Sequence, residues 1–376
     1  MTQALQDTVS AAVESGALPH LCGLVLRGGE IVYEGAAGDA GLDRIYRIAS
    51  MTKALTSVAV MQCVERGLIE LDASLDRYLA LPSPRVLVSV DARGQGTFRD
   101  AIRTPTVREL LTHTGGYGYG VWNERLCHYF KARELPALGP SGAERLTAPM
   151  VADPGTEWHY GIATDFLGQI VEAVTSTDLE TYMQTNIFKP LGMPDSSFTL
   201  APANDDRLMT PYHRGPNGEL VTLELPRPQA NGFCSGGGGL TSTPRDYARF
   251  LGAILNKGTL EGTRILKANT VESMLTNHTG DMPIPGMRSH DPAVSESHEF
   301  FPGVPKAWGL GFLINLEPIP GMRGAGTGTW AGLFNTHFWI DPAANLAGLL
   351  MTQLLPFCDP AFMDVYARFE AAAYDD

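Results

Sequence analysis

Positive charge is scarce in this 376-residue chain: 28 Lys and Arg stand against 41 Asp and Glu, a formal net charge of −13. Nucleic acids and anionic membranes are bound through basic patches, so this balance argues against both as partners. No stretch approaches 18 uninterrupted apolar residues, and none reads as a membrane-spanning helix. The opening MTQALQDTVSAAVESG reads as an acidic amphipathic helix. It lacks the basic n-region and apolar core of a signal peptide, and the expectation is a cytoplasmic protein. Cysteine is sparse too. The five residues Cys22, Cys63, Cys127, Cys234 and Cys358 are odd in number and scattered, with no CxxC. That pattern argues against a disulfide framework and a zinc site, and no metal or cofactor is expected. HExxH, GxSxG and the GK[ST] of a phosphate loop are all missing. A zincin, an α/β-hydrolase elbow and a P-loop enzyme go with them.

What is present is the composition of a soluble globular protein, 44% hydrophobic and 18% charged. The length suits two interleaved domains or one large α/β unit. Forty-one Gly and 26 Pro indicate many turns and long connections. LCGLVLRGGEIVYEG reads as a hairpin, two β-rich runs about Gly28-Gly29. From about Asp72 to Phe233 short helical patterns alternate with Pro/Gly loops and strand signal is weak. Strand pattern resumes in WGLGFLINL, LFNTHFWI and LAGLLMTQLL, and DPAFMDVYARFEAAAYDD closes the chain as a helix. The expected fold is α/β (α+β). Residues 1–71 and 234–376 form a discontinuous unit, an antiparallel sheet with N- and C-terminal helices, and 72–233 form a mostly helical insertion. The Pro-, Gly- and His-rich stretch 280–306 has no period, so it reads equally as a lid or as a solvated excursion.

One helix is chemically odd. RIASMTKALTSVAVMQCVERG, residues 47–67, is apolar on every face of the helix it predicts, yet it carries Lys53, the only lysine of the first 130 residues. An unpaired ammonium in such a helix costs several kcal/mol, so Lys53 either reaches water from the first turn or has a partner. Ser50 stands three residues earlier, on the same helical face. A serine hydroxyl needs an adjacent base to attack a carbonyl, and a desolvated lysine can serve. With 17 serines and six lysines, roughly a quarter of an SxxK match is expected by chance, and this is the only one.

Two further stretches give it context: DPGTEWHYGIATDFLG, with Tyr160 ahead of a helix, and GTGTWAGLFNTHFWIDP, a glycine-rich approach to a strand. With LLTHTGG at 110–116 and GGGGLTSTPRDYARF at 236–250, in that order, nearly the full chain resembles the serine β-lactamase and penicillin-recognising fold. It is most similar to the class C-like branch called family VIII carboxylesterases. The resemblance implies Ser50 as nucleophile, Lys53 and Tyr160 as proton relay, and the backbone N–H groups of Ser50 and Leu333 as oxyanion hole. Trp330, Ala331 and Gly332 then occupy the third motif, on the strand edging a site between sheet and helical insertion. Where β-lactamases usually carry a basic residue this chain has Trp330, and where they usually carry an asparagine it has Ile162. Those departures favour short neutral esters over β-lactams and D-amino-acid peptides, hydrolysed through an acyl-enzyme, with acyl transfer to a second alcohol as an alternative. A non-catalytic ligand-binding descendant of the fold is the rival outside enzymology. Tyr117, Tyr119 and Trp122 follow the HTGG turn and read either as walls of an acyl or alcohol pocket or as loop anchors.

Overall fold

The computed structural model describes residues 1–375. Helix α1 (Thr2–Glu14) leads into β1 (His20–Arg27) and β2 (Glu30–Gly38), joined through Gly28 and Gly29. Both glycines have positive φ, 63° and 87°, as a two-residue hairpin turn requires. Helix α2 (Thr52–Glu65) follows at once, then α3 (Ala163–Thr175) and α4 (Pro244–Leu255). Five strands come late: β3 (Lys306–Trp308), β4 (Leu313–Asn315), β5 (Gly328–Gly332), β6 (Thr336–Asp341) and β7 (Leu346–Met351). Helix α5 (Pro360–Tyr374) closes the fold.

These strands make one antiparallel sheet in the order β3-β4-β5-β6-β7-β1-β2. β1 lies between its hairpin partner and β7, with Cys22 opposite Met351, so both ends of the chain build the sheet. Along β1 the side chains alternate between two cores. Leu21 and Val25 pack with Leu5 and Val9 of α1 and Phe369 of α5. Cys22, Leu24 and Leu26 face the larger core that holds α2 and α4. Covered on both faces, β1 is buried through Leu26, which explains its nearly continuous apolar run. Among the described residues, no helix is long and apolar enough to cross a membrane.

Two sequence expectations need correction. WGLGFLINL is not one strand, because the chain reverses at Gly309–Gly311 and its halves pair as β3 and β4. The 72–233 stretch holds a clear hairpin, Arg85–Val90 with Gly96–Asp100, whose turn is tied by Asp91 Oδ1 to the backbone N–H groups of Arg93 and Gln95. Its alternating RVLVSV was obscured by the prolines just before it.

Candidate active site

Ser50 sits in a tight turn, Ala49–Met51, that runs directly into α2. Ala49 has φ of 42°, left-handed for a residue with a Cβ and costing on the order of 1 kcal/mol. Surrounding contacts hold it there. Ile48 N–H donates to the Leu240 carbonyl at 3.2 Å, Tyr247 Oη to the Met51 carbonyl at 3.0 Å, and Leu240 N–H to Thr52 Oγ1 at 3.1 Å. The 236–250 stretch thus clamps both sides of Ser50.

α2 is buried all round from Thr52 to Cys63, and Lys53 with it, at 1% exposure. Lys53 does not reach water. Its Nζ donates to Ser50 Oγ at 3.2 Å, to Tyr119 Oη at 3.2 Å and to the Gly237 carbonyl at 2.7 Å. It also lies over the Tyr160 ring, 4.7 Å from the centroid. Burial drives the Lys53 ammonium down to about 7, partly offset by the Asp165 carboxylate and reinforced by Arg145. Burial pushes the Tyr160 phenol in the opposite direction, upward, against bonding from Ser50 and Trp330. Near neutral pH the pair is therefore a phenol beside an amine that readily loses its proton.

Tyr160 is fixed by aromatic neighbours. His113 meets it edge-on at 4.9 Å, Trp330 packs at 4.7 Å, and Trp330 Nε1–H donates to Tyr160 Oη at 2.8 Å. Trp330 projects from β5, which Gly332 lets lie close to the chain ahead of Ser50; a Cβ there would collide with the Ile48 carbonyl. Ser50, Tyr119, Tyr160, Trp330 and Leu333 line one cavity of about 350 Å³, closed by Trp122, Leu138, Phe334 and Phe357.

Three predicted substrate contacts do not line this cavity: Gly332, which backs onto the Ile48 carbonyl, Tyr117 and Ile162. Tyr117 packs on Phe166 at 4.5 Å and faces a separate cavity of about 370 Å³, while Tyr119, whose N–H donates to the Tyr160 carbonyl at 3.2 Å, faces the site. Ile162 is buried just ahead of α3 and does not line the site. The 280–306 stretch is no solvated excursion. Ser295 accepts Trp122 Nε1–H at 3.1 Å and Phe300 packs on Trp330 at 5.4 Å, so it backs the aromatic wall.

Four residues of the site escaped the sequence reading. Asp165, Arg145 and Ser235 form a polar cluster beside Lys53, and His113 supports Tyr160. His113 lies in the noted HTGG motif and Asp165 follows Tyr160 by five residues, signals that were available. Arg145 has no local signal at all.

The sequence profile of the Beta-lactamase family matches residues 5–373. The chain is 34% identical over 344 residues to a monacolin J acid methylbutanoyltransferase of Aspergillus terreus, covering 89% of this chain and 82% of that one. It is 30% identical to a lovastatin esterase of Penicillium rubens over 98% of both chains. Among solved structures, unliganded simvastatin synthase from Aspergillus terreus matches with a TM-score of 0.83 at 30% identity, over 98% of this chain and 97% of that one.

Proposed function

The chain belongs to the Beta-lactamase family, and from that membership we propose that it is a serine acyl-transfer enzyme, moving an acyl group from an ester to an alcohol through an acyl-enzyme on Ser50. The observation that carries this reading is Lys53 Nζ on Ser50 Oγ and over the face of Tyr160, with the Tyr160 hydroxyl held by Trp330 Nε1–H, all set in an aromatic cavity. Ser50 Oγ attacks the donor carbonyl while its proton passes to Lys53, which is neutral in a substantial fraction at pH 7. The oxyanion is received by the backbone N–H groups of Ser50 and Leu333, both at the cavity wall. The Lys53/Tyr160 relay then protonates the departing oxygen. An acceptor alcohol enters, gives its proton to the same relay, and takes the acyl group as a new ester.

Transfer is favoured over hydrolysis by the relatives, several of which are acyltransferases by name. An aromatic wall also favours an apolar alcohol over water. A second reading, hydrolysis of short neutral esters, uses the same acyl-enzyme with water as acceptor and has the lovastatin esterase in its favour. A β-lactamase is disfavoured by the indole of Trp330 where a basic side chain would hold the substrate carboxylate. The test is product partition. The enzyme is given p-nitrophenyl 2-methylbutanoate with a panel of alcohols that includes monacolin J acid, and esters and free acid are quantified by mass spectrometry. Ester formation that outpaces release of free acid supports transfer. Free acid alone with every alcohol discards it in favour of the esterase.

A further inference from the structure

Asp165 lies on α3, five residues beyond Tyr160, and is fully buried. Its Oδ1 accepts the Ser235 hydroxyl at 2.7 Å and the Gly237 N–H at 3.0 Å. Its Oδ2 accepts Arg145 Nη1–H at 3.3 Å, and Arg145 is anchored in turn by Nε–H to the Pro140 carbonyl at 3.1 Å. Gly237, held through its N–H, gives its carbonyl to Lys53 Nζ at 2.7 Å, the shortest of the three bonds that Lys53 makes. One residue therefore separates the Asp165 carboxylate from the lysine.

We propose that Asp165 and Arg145 are positioning residues, a charge-balanced pair that fixes Lys53 through Gly237 and sets the pH at which it accepts the serine proton. This inference rests on the reading of Lys53 as the base. The groups facing Lys53 are Ser50 from its own turn, His113 and Tyr119 from the 113–119 stretch, Tyr160 from the approach to α3, Asp165 and Arg145; β5 adds only the neutral Trp330. Burial keeps Tyr119 and Tyr160 as phenols and His113 as neutral imidazole. Asp165 and Arg145 are then the two full charges acting on Lys53. The carboxylate favours its ammonium form and the guanidinium opposes it. Each offsets the other, and losing either one exposes Lys53 to the partner alone.

Opposite signs make the test sharp. Asp165→Asn leaves the guanidinium unbalanced and should move the acidic limb of kcat/KM to lower pH by about 1 unit; Arg145→Gln should move it up by a similar amount. The double variant should return near the wild-type position. Lys53 is followed independently by ¹³Cε NMR, since the chain has only six lysines and Lys53→Met assigns the signal. Opposite shifts of the Lys53 titration establish the pair. Slower turnover with an unmoved titration, or shifts of the same sign, overturns it in favour of a packing role. If Asp165→Asn does not fold, the Arg145→Gln shift decides alone. Should the Lys53 titration shift as stated while the wild-type rate limb falls elsewhere, the pair stands and the reading of Lys53 as base fails.

Discussion

The indole N–H of Trp330 donates to the phenol oxygen of Tyr160 at 2.8 Å. The oxygen's acceptor side is thus occupied, and its own proton is free to serve Ser50 or a departing group. Trp330→Phe keeps the ring and removes the donor. It should lower kcat about 5- to 10-fold, the equivalent of about 1–1.5 kcal/mol, with KM little changed. The same residue bears on substrate class. For wild type, kcat/KM on p-nitrophenyl butyrate should exceed that on a chromogenic cephalosporin by at least about 10²-fold. Equal efficiency on the cephalosporin would restore the β-lactamase reading.

Ser50→Ala should abolish acyl-enzyme formation and leave the fold unaltered, since Ser50 is half-buried and its hydroxyl holds no structural partner beyond Lys53 and Tyr160. Mass spectrometry after treatment with a phosphonate ester should place the label on Ser50. A label on another residue, with Ser50→Ala still active, removes Ser50 from the mechanism.

Lys53→Ala and Tyr160→Phe should each lower kcat by at least about 10²-fold, and the double variant by far less than the product, because both act on one proton. In wild type kcat/KM should rise with pH through about 7 as Lys53 loses its proton. Independent, multiplicative losses would show that they do not share a relay.

Burying Lys53 also has a stability signature. Its folded-state value, about 7, lies below the 10.5 of an ordinary lysine, so between those limits the unfolded chain holds the extra proton and stability rises with pH. Lys53→Met should therefore stabilise the protein most below pH 7. Roughly 2–3 kcal/mol of that gain should disappear between pH 6 and pH 9. Urea unfolding at the two pH values measures it. A gain that is the same at both would mean Lys53 stays charged in the fold.

What could be read from sequence was what sits in local order. Ser50 and Lys53 share one helical turn, which marks them as a pair by spacing, whereas Tyr160 and Trp330 were nominated through the family that their stretches resemble. The sheet was legible because burial on both faces makes its strands run apolar. Arg145 was not legible, since it meets Asp165 and Ser235 only after distant segments fold together. Tyr117 and Tyr119 sit two apart, which in an extended chain puts them on one side; the structure separates them, because Tyr119 turns to Lys53 and Tyr117 to Phe166. Local spacing carries no record of those partners.

The pairing of β1 with β7 has a consequence for the chain during its synthesis. Ser50 leaves the ribosome early, yet the strand bearing Trp330 and the one that closes the sheet beside β1 come some 280–300 residues later. At about 5–20 residues per second, that interval lasts roughly 15–60 s. Throughout it the sheet behind α2, apolar on every face, stays incomplete, although α3, the helix packed most closely on it, emerges within about 110 residues. A nascent or truncated chain is thus a natural client for holding chaperones, and it carries its serine without the wall that would make it reactive.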